Sequence, residues 1–513
     1  MRKSVLNDKN EIISKIQQHV YKLINKSIDI AKDCSCLDIL LCIVQYHFIR
    51  YSENKEYEGK INLITKFREV SCDSIKYVIQ LLLKYSSRKD FEKFGGNIKN
   101  ELLKTTNLIQ LANEITTYAE NISLIQLSDD VSFTNEQKNI VRNNFEDFFT
   151  KKGIKEFAQY HHRVDYSNSI EVNSFKTENE MYDYFRNEYL PYAKLFEEET
   201  LCTIDDYIAL NKSIIKIISD KLHNVESKLF YDSNGCLQLN DLRNYLLLIP
   251  NYLLYIKELL DNLDKRHSFL LRRLILESKD IDIYNLKYYE ITRKPFINVN
   301  GFLFICPEFL LESICLNTHY SLLENSSVKQ TYIKQASDIF VAKIESLATK
   351  YGFSTFMKEH NLYEGKRCIG DLDIVLKRDE FFLIIEAKNY NLPLNVYFHD
   401  LDETKKYKDY LIQNWEKHII ERNNYVKNHF SDLGMSSNFK YIYVTRCPEI
   451  LSHFSSFLCL SFNEFEFYLK NQNTDISFEK IYEALYDQDM QDDITTLTQN
   501  TSIISSHIWF DKE

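Results

Sequence analysis

The sequence contains little proline and glycine, the two residues that most often interrupt regular secondary structure. Only 6 Pro and 10 Gly occur among its 513 residues, and the first proline is Pro191. An interior proline removes a backbone hydrogen-bond donor and clashes with the preceding helical turn. Its absence over such a length therefore favours helices in the first part of the chain.

Several kinds of protein are disfavoured by motifs that the sequence lacks. It has no Gly-x-x-x-x-Gly-Lys-Ser/Thr phosphate loop and no Gly-x-Ser-x-Gly elbow, which argues against an ATPase and a serine hydrolase. The 11 cysteines are scattered, and the cluster Cys34, Cys36 and Cys42 lacks the spacing of a zinc site, so we interpret them as buried reduced thiols. The pair His161-His162 lies in a polar stretch that is typical of a surface loop.

Long apolar runs are absent as well. The first residues, MRKSVLNDKNEI, lack the apolar core of a signal peptide, and DILLCIVQYHF, from Asp38, is too short to span a bilayer. Hydrophobic residues make up 44% of the chain and charged residues 27%, which is typical of a soluble globular protein. We therefore expect a cytoplasmic protein without a membrane partner.

The net charge of −11 argues against a protein whose whole surface binds nucleic acid, because phosphate binding depends on Lys and Arg. A local basic groove is compatible with this charge. Lys405, Lys406 and Lys408 form a basic group in the last third of the chain. We expect nucleic acid to be held by such a groove or by a partner subunit.

The pattern of apolar residues predicts four regions along the chain. Apolar residues at three- and four-residue spacing predict helix after helix over residues 1–290, with polar breaks that suggest two subdomains divided near residues 120–175. Residues 291–330 contain short strands around Asn298–Gly301 and a helix, and they would form a connector or a side-by-side packing element. The remaining regions are a mixed α/β domain (331–473) and an acidic polar tail (474–513).

The mixed domain begins with an amphipathic helix, DIFVAKIESLATKYGF, which a predicted β-hairpin follows. The hairpin strands are Asp371–Leu376 and Phe381–Lys388, joined by a polar turn at Lys377–Glu380. After them come a long helix from Thr404 to about Asn428, a strand at Lys440–Arg446, and a strand that leads into a final helix, FLCLSFNEFEFYL. We predict a small mixed sheet flanked by helices.

Charged side chains at the ends of these apolar strands indicate a site. Side chains alternate across a strand, so Glu386 and Lys388 share one face, as do Asp371 and Asp373. A symmetric four-residue turn would place Asp371 opposite Glu386, so that two or three carboxylates converge on one side of the sheet. Carboxylates that lie so close repel each other unless a cation or a proton intervenes.

A hard divalent cation such as Mg²⁺ or Mn²⁺ suits an oxygen-rich site and also binds phosphate. A metal held by acidic residues can activate water and stabilise charge on a phosphate group. Lys388 would then orient or help deprotonate the water and offset the developing negative charge. Glu345 lies at the edge of the apolar stripe of the preceding helix, where its side chain would either extend to solvent or reach the metal.

These residues and their order resemble the PD-(D/E)XK nuclease superfamily over Ser337 to Lys470, and IIEAKNY looks most like its nuclease-related-domain and type IV restriction branches. The resemblance implies a restriction-endonuclease-like α/β domain of αβββαβ order, here preceded by a large, mostly α-helical region. It also implies that Asp373, Glu386 and Lys388 are catalytic residues and that Glu345 is the helical acid of the site.

A ligand set follows from the same resemblance. Asp373, which directly precedes the apolar IVL, would bind Mg²⁺ or Mn²⁺ together with Glu386 and the backbone carbonyl of Ala387. GDLD replaces the Pro-Asp of the superfamily name, so either Asp371 or Asp373 can be the primary ligand. The predicted hairpin register favours Asp371 and the family pattern favours Asp373, and a β-bulge would reconcile the two. Relatives often carry a Gln or Lys on the next helix, and the candidates there for contacting nucleic acid are Gln413 and Lys417.

The implied function is a metal-dependent endonuclease that hydrolyses phosphodiester bonds in nucleic acid, with DNA favoured, as a bacterial anti-phage or restriction effector. The helical region would sense a signal or oligomerise, so we expect a homo-oligomer or a partner protein of such a system. One alternative is a catalytically inactive nuclease-fold module that binds protein or nucleic acid in a larger assembly. Another is a helical scaffold whose C-terminal domain only dimerises.

Overall fold

The computed structural model of the chain divides into two compact units, and neither is continuous in sequence. The first unit comprises Met1–Gln126 and Thr177–Tyr332, and the second comprises Leu127–Lys176 and Ile333–Glu513. The structure describes residues 2–56, 62–86, 98–127, 132–133, 140–141, 155–157, 159–164, 178–231, 241–284, 290–323, 326–390, 392–393, 396, 401–471 and 475–486. Most of the predicted tail and of the predicted break near residues 120–175 lies outside the described residues.

Helices dominate the first unit, as the scarcity of proline predicts. In chain order they are α1 (Arg2–Lys32), α2 (Asp38–Glu56), α3 (Asn62–Tyr85), α4 (Ile98–Leu127), α5 (Glu178–Tyr189), α6 (Ala193–Thr200), α7 (Ile204–Glu226), α8 (Leu242–Leu248), α9 (Ile256–Asn262), α10 (Lys265–Arg273) and α11 (Pro307–Leu323). Among the described helices of the whole chain, none has a stretch that is both long and apolar enough to cross a lipid bilayer.

The strands of the described residues form three sheets. In chain order they are β1 (Ser132–Phe133), β2 (Ile140–Val141), β3 (Leu253–Tyr255), β4 (Ile275–Leu276), β5 (Phe296–Val299), β6 (Phe302–Ile305), β7 (Ser354–Glu364), β8 (Arg367–Arg378), β9 (Phe381–Lys388), β10 (Phe439–Thr445) and β11 (Leu458–Ser461). β1 pairs with β2, the order β3-β6-β5-β4 forms a sheet in the first unit, and the order β11-β10-β9-β8-β7 forms a sheet in the second.

The strands and helix expected at residues 291–330 are present, but they belong to the core of the first unit. β5 and β6 form an antiparallel hairpin whose turn contains Asn300 (φ 50°) and Gly301 (φ 85°). Glycine adopts such positive φ angles without steric cost. Leu303 and Phe304 of β6 are fully buried, so this segment is part of a packed sheet and not only a connector.

The sheet of the second unit is mixed, which agrees with the predicted α/β organisation. β7, β8 and β9 are antiparallel neighbours, whereas β9, β10 and β11 are parallel neighbours. β9 therefore lies in the middle, and its residues Phe382–Ala387 are all buried. A strand covered on both faces has a nearly continuous apolar sequence, which is the pattern that FFLIIEAK shows. β7 is an edge strand that the apolar pattern did not predict.

Helices cover both faces of this sheet. On one face lie α13 (Leu401–Leu411) and α14 (Lys417–His429), which a π-helical turn, Ile412–Glu416, joins into the long helix predicted from the sequence. Their buried side chains Leu411, Ile419 and Val426 pack in one cluster with Val375, Ile384 and Tyr441 of the sheet.

The other face carries α12 (Lys329–Lys350) and α15 (Phe462–Lys470). Residues 478–486 are helical as well, and Phe478, Ile481 and Tyr482 are buried in the same cluster as Ile344 and Ile385. The mixed domain therefore extends past residue 473, and the prediction that a polar tail begins at residue 474 is wrong for this segment, because its apolar side chains complete the core.

A buried ion pair attaches residues 159–164 to the second unit. Arg163 and Glu464 are both fully buried, and Nε and Nη2 of Arg163 donate to the two carboxylate oxygens of Glu464 at 2.7 and 2.8 Å. Nη1 of Arg163 also donates to the backbone carbonyl of Glu449 at 3.1 Å. Because residues 159–164 are helical and contribute a buried cation, the predicted surface loop around His161-His162 is wrong.

Candidate functional site

The turn between β8 and β9 decides which aspartate faces Glu386. Arg378 pairs with Phe381, so the turn contains only Asp379–Glu380, and the predicted four-residue turn is wrong by two residues. Asp379 adopts a φ of 54°, which Asp tolerates better than most residues and which allows the tight connection. Continued one residue beyond the observed ladder, this register places Asp373 opposite Glu386, and no bulge is needed.

Glu386 lies near the carboxyl end of β9 and is only 4% exposed. Its oxygens accept hydrogen bonds from Lys388 Nζ at 2.6 Å, from Arg422 Nη1 at 2.6 Å to both oxygens, and from the Tyr441 hydroxyl at 3.2 Å. Burial raises the pKa of Glu386, but the charges of Lys388 and Arg422 outweigh that effect and bring the pKa below its ordinary value. Glu386 is therefore ionised at neutral pH.

Asp373 forms the second acidic member of the site. Its Oδ2 accepts the backbone N–H of Ala387 at 2.7 Å, while the Ala387 side chain is buried in the core on the other face of the sheet. Burial, and then the negative charge of Glu386, raise the pKa of Asp373 to about 7. Two acids in this arrangement ionise together only when further positive charge is supplied, and a divalent cation supplies such charge.

Lys388 lies on the same face as Glu386 and has a side chain that is 21% exposed. Burial lowers the pKa of Lys388, but Glu386 and Asp373 outweigh it, so the pKa is above its ordinary value. Its Nζ lies 5.8 Å from the centre of the Trp415 ring. A firmly protonated Lys388 can orient water and offset negative charge, whereas removing a proton from water requires a neutral amine.

Arg422 is a member of the site that the sequence interpretation missed. It projects from α14, its side chain is 14% exposed, and it pairs with Glu386. A signal was present, because Arg422 follows the buried Ile419 by three residues and precedes the buried Val426 by four. A charged residue on the apolar stripe of a helix faces the core and needs a partner there. We call Asp373, Glu386, Lys388 and Arg422 the carboxylate site.

Asp371 lies at the margin of the carboxylate site. Its side chain is 45% exposed, and its Oδ1 is 3.8 Å from Nη2 of Arg422. The predicted pairing of Asp371 with Glu386 is wrong, because the tight turn gives that position to Asp373. Of the two aspartates that the sequence left as alternatives, Asp373 is the one that the register places beside Glu386.

Glu345 does not join the carboxylate site. Its helix, α12, packs on the opposite face of the sheet, and the Glu345 carboxylate accepts hydrogen bonds from Thr355 Oγ1 at 2.6 Å and Lys358 Nζ at 3.3 Å on β7. Of the two alternatives for Glu345, the one in which it reaches the metal as the helical acid of the site is wrong. The apolar stripe does turn this helix towards the sheet, but a sequence pattern does not specify which face of the sheet the helix covers.

The three lysines predicted to form a basic groove lie on α13 in different environments. Lys406 is exposed and pairs with Glu403 of the same helix at 2.5 Å. Lys408 is mostly covered, and its Nζ lies 5.1 Å from the centre of the Phe454 ring. Lys405 is half-buried. Lys406 is thus the member of the group that is most accessible to a phosphate backbone.

Gln413 and Lys417, the other predicted contacts for nucleic acid, are both exposed. Gln413 falls within the π-helical turn, and Lys417 is the first residue of α14. A π-turn adds a residue to the helical turn, so the α-helical spacing that would align these two side chains on one face does not hold here.

The donors of the carboxylate site fit a hard divalent cation better than a soft one. Asp373 and Glu386 offer carboxylate oxygens, which Mg²⁺ and Mn²⁺ prefer. Among the described residues, a different group that could hold a metal consists of Cys202, Asp206 and His267, whose ligand atoms lie within 4.8 Å of one another. Its sulfur and nitrogen donors suit zinc rather than Mg²⁺, and it lies in the first unit.

Comparison with known proteins gives no further guide to this site. No family model, curated protein or solved structure matches the chain.

Proposed function

We propose that the second unit is a Mg²⁺- or Mn²⁺-dependent endonuclease with a restriction-endonuclease-like fold of the PD-(D/E)XK type, and that its substrate is DNA. The observation that carries the proposal is the register of β8 and β9, which ends at Ile374 opposite Ile385 and, continued by one residue, places Asp373 opposite Glu386. Lys388 follows two residues further along the same face. The order of elements from α12 to β10, a helix, three antiparallel strands, a helical segment and a parallel strand, supports it.

Each member of the site has a role in the proposed reaction. Asp373 and Glu386, with the backbone carbonyl of Ala387, would hold the cation. When bound, a divalent cation lowers the pKa of water and stabilises negative charge on a phosphate. Lys388 stays protonated beside it, orients the water and offsets charge on the phosphoryl oxygens. Because Glu386 is almost fully buried, these charges interact in a medium of lower dielectric than water.

A second candidate function has an observation in its favour. Both oxygens of Glu386 already accept hydrogen bonds from cations of the protein itself. A protein that kept this arrangement permanently would be an inactive nuclease-fold module that binds nucleic acid or protein. This candidate predicts that Mn²⁺ does not bind at Glu386 under any condition.

Cleavage assays with a matched pair of lysine variants test the proposal. Plasmid, linear duplex, single-stranded DNA and RNA are incubated with Mg²⁺ or Mn²⁺ and with wild type, Lys388→Ala or Lys377→Ala. Lys377 is the control, because its Nζ lies over the Phe382 ring, near the turn at the other end of the hairpin. We expect metal-dependent cleavage that falls by about 100-fold or more in Lys388→Ala and is unchanged in Lys377→Ala.

Two results would count against this proposal. Normal cleavage by Lys388→Ala would remove the role assigned to Lys388. Absence of cleavage of every substrate by wild type with both metals would favour the binding module.

We further propose, from the architecture alone, that the enzyme acts in bacterial defence against phage or foreign DNA and that the helical unit senses a signal, oligomerises or binds a partner protein. Infection of cells that express wild type or Lys388→Ala tests this role.

A further inference from the structure

The guanidinium of Arg422 binds the carboxylate of Glu386, which a cation at this site would need as a ligand. Its Nη1 donates to both oxygens of Glu386 at 2.6 Å, and Lys388 and Tyr441 supply the other hydrogen bonds to the same carboxylate. A carboxylate whose two oxygens are bound in this way has few lone-pair directions left for a metal. Arg422 and a divalent cation would therefore compete for Glu386.

Gly370 of β8 leaves room for this guanidinium because it has no side chain. Gly370 has a φ of 127°, a conformation that favours glycine, and a Cβ atom built there would lie 2.3 Å from Arg422 Nε and 2.7 Å from Nη2. Any other residue at position 370 would displace the side chain of Arg422. The placement of Arg422 over the strand is thus specified twice, by Gly370 and by Glu386.

Arg422 also has N–H donors, on Nε and Nη2, that Glu386 does not use. Its Nε is buried and has no hydrogen-bond partner within the described part of the chain. Its Nη2 is 3.8 Å from Asp371 Oδ1, which is longer than a hydrogen bond. A guanidinium presents its donors as a planar fork that matches two oxygens of a phosphate. A phosphate diester would satisfy the donors that Glu386 and Asp371 leave unused.

We propose that Arg422 is a gate for the metal: it neutralises Glu386 in the metal-free protein, and it moves to a phosphate oxygen of the nucleic acid when a divalent cation takes its place. This inference rests on the proposed function and adds its regulation. Metal and nucleic acid then bind with positive cooperativity, because each favours the position of Arg422 that the other requires. Without nucleic acid, Arg422 keeps metal affinity low.

The experiment compares Mn²⁺ binding by calorimetry in wild type, Arg422→Gln and Arg367→Gln, with and without a cleavage-resistant phosphorothioate DNA duplex. Arg367 is the matched control, because it joins β8 to α14 through Glu421 at 2.7 Å but is 69% exposed. We expect Arg422→Gln to bind Mn²⁺ about tenfold tighter than wild type or more, and Arg367→Gln to match wild type. The duplex should tighten Mn²⁺ binding in wild type and have little effect in Arg422→Gln.

Each outcome distinguishes the gate from the proposed function. If Arg422→Gln binds Mn²⁺ no better than wild type, the gate is wrong even when wild type cleaves DNA. If Arg422→Gln gains Mn²⁺ affinity but wild type cleaves no nucleic acid, the gate stands and the nuclease does not. If neither protein binds Mn²⁺, both are wrong. Circular dichroism verifies that each variant is folded. If Arg422→Gln does not fold, Arg422→Lys replaces it, because lysine keeps the positive charge but lacks the planar fork. Arg422→Lys must then bind Mn²⁺ tighter than wild type, or the gate is wrong.

Discussion

The buried ion pair between Arg163 and Glu464 offers a sharp test of how the second unit is held together. We expect Arg163→Met to destabilise this unit strongly. Both side chains are fully buried and joined through two hydrogen bonds of 2.7 and 2.8 Å, so the substitution leaves the Glu464 carboxylate buried without its counter-ion. Removal of one partner from such a pair costs about 3 to 5 kcal/mol of unfolding free energy.

The double variant Arg163→Met with Glu464→Gln separates the charge effect from lost packing. Gln keeps an oxygen for the N–H of Ser461, which Glu464 Oε2 accepts at 2.8 Å to cap α15. We therefore expect the double variant to recover about half of the loss, since no charge remains buried alone. Urea unfolding followed by tryptophan fluorescence suits this measurement, because Trp415 packs beside Tyr443 in the sheet of the second unit.

The outcome is decisive in either direction. A loss below about 1 kcal/mol in Arg163→Met would show that Glu464 finds water or another cation, and that the attachment of residues 159–164 adds little. A double variant that is less stable than Arg163→Met would refute the view that an uncompensated charge causes the loss. Arg186→Met is the control, because Arg186 pairs with Asp205 at 2.7 Å on the surface of the first unit.

Three further predictions follow from burial and charge. Asp373→Asn should abolish Mn²⁺ binding in calorimetry and raise the melting temperature of the metal-free protein in EDTA, because the pKa of Asp373 is raised to about 7 by burial and by Glu386; a lower melting temperature would contradict this. Burial raises the pKa of Glu449 from 4.5 to about 8. The folded protein therefore keeps this carboxyl protonated at pH values where the unfolded chain has lost the proton, so the unfolding free energy of wild type should fall as the pH rises from about 4.5 towards 8. Glu449→Gln should lose less stability when denaturation is measured across that range. The isolated fragment 331–473 should lack a cooperative unfolding transition in circular dichroism, because it omits Arg163 and the buried side chains of residues 478–486; a cooperative transition would show that the predicted boundaries were sufficient.

The sequence was most informative where side chains alternate along buried strands. Period-two alternation placed Glu386 and Lys388 on one face, and the apolar run FFLIIEAK indicated a central strand. The register between β8 and β9 was wrong because it depends on the turn, and KRDE does not reveal that Asp379 adopts a positive φ. The error of two residues kept every side chain on its correct face, which is why the acids still converged.

Features that arise from long-range packing were missed. β7 has mostly polar, exposed residues, since it pairs on one side only and lies at the sheet edge. The sequence left open whether Glu345 extends to solvent or reaches the metal, because an apolar stripe shows that α12 packs on a sheet but does not show on which side. Arg422 gave a local signal, a charge on the apolar stripe of α14, but its partner Glu386 lies 36 residues away in sequence.

The ion pair that closes the second unit also imposes an order of events during protein synthesis. Arg163 and Glu464 are 301 residues apart in the chain. A ribosome that adds about 5 to 20 residues per second needs roughly 15 to 60 s to make the residues between them. During that time the ribosome makes the rest of the first unit, Thr177–Tyr332, and Arg163 cannot form its ion pair because Glu464 has not yet been synthesised. The second unit is therefore completed last, when the residues of the first unit have already been synthesised.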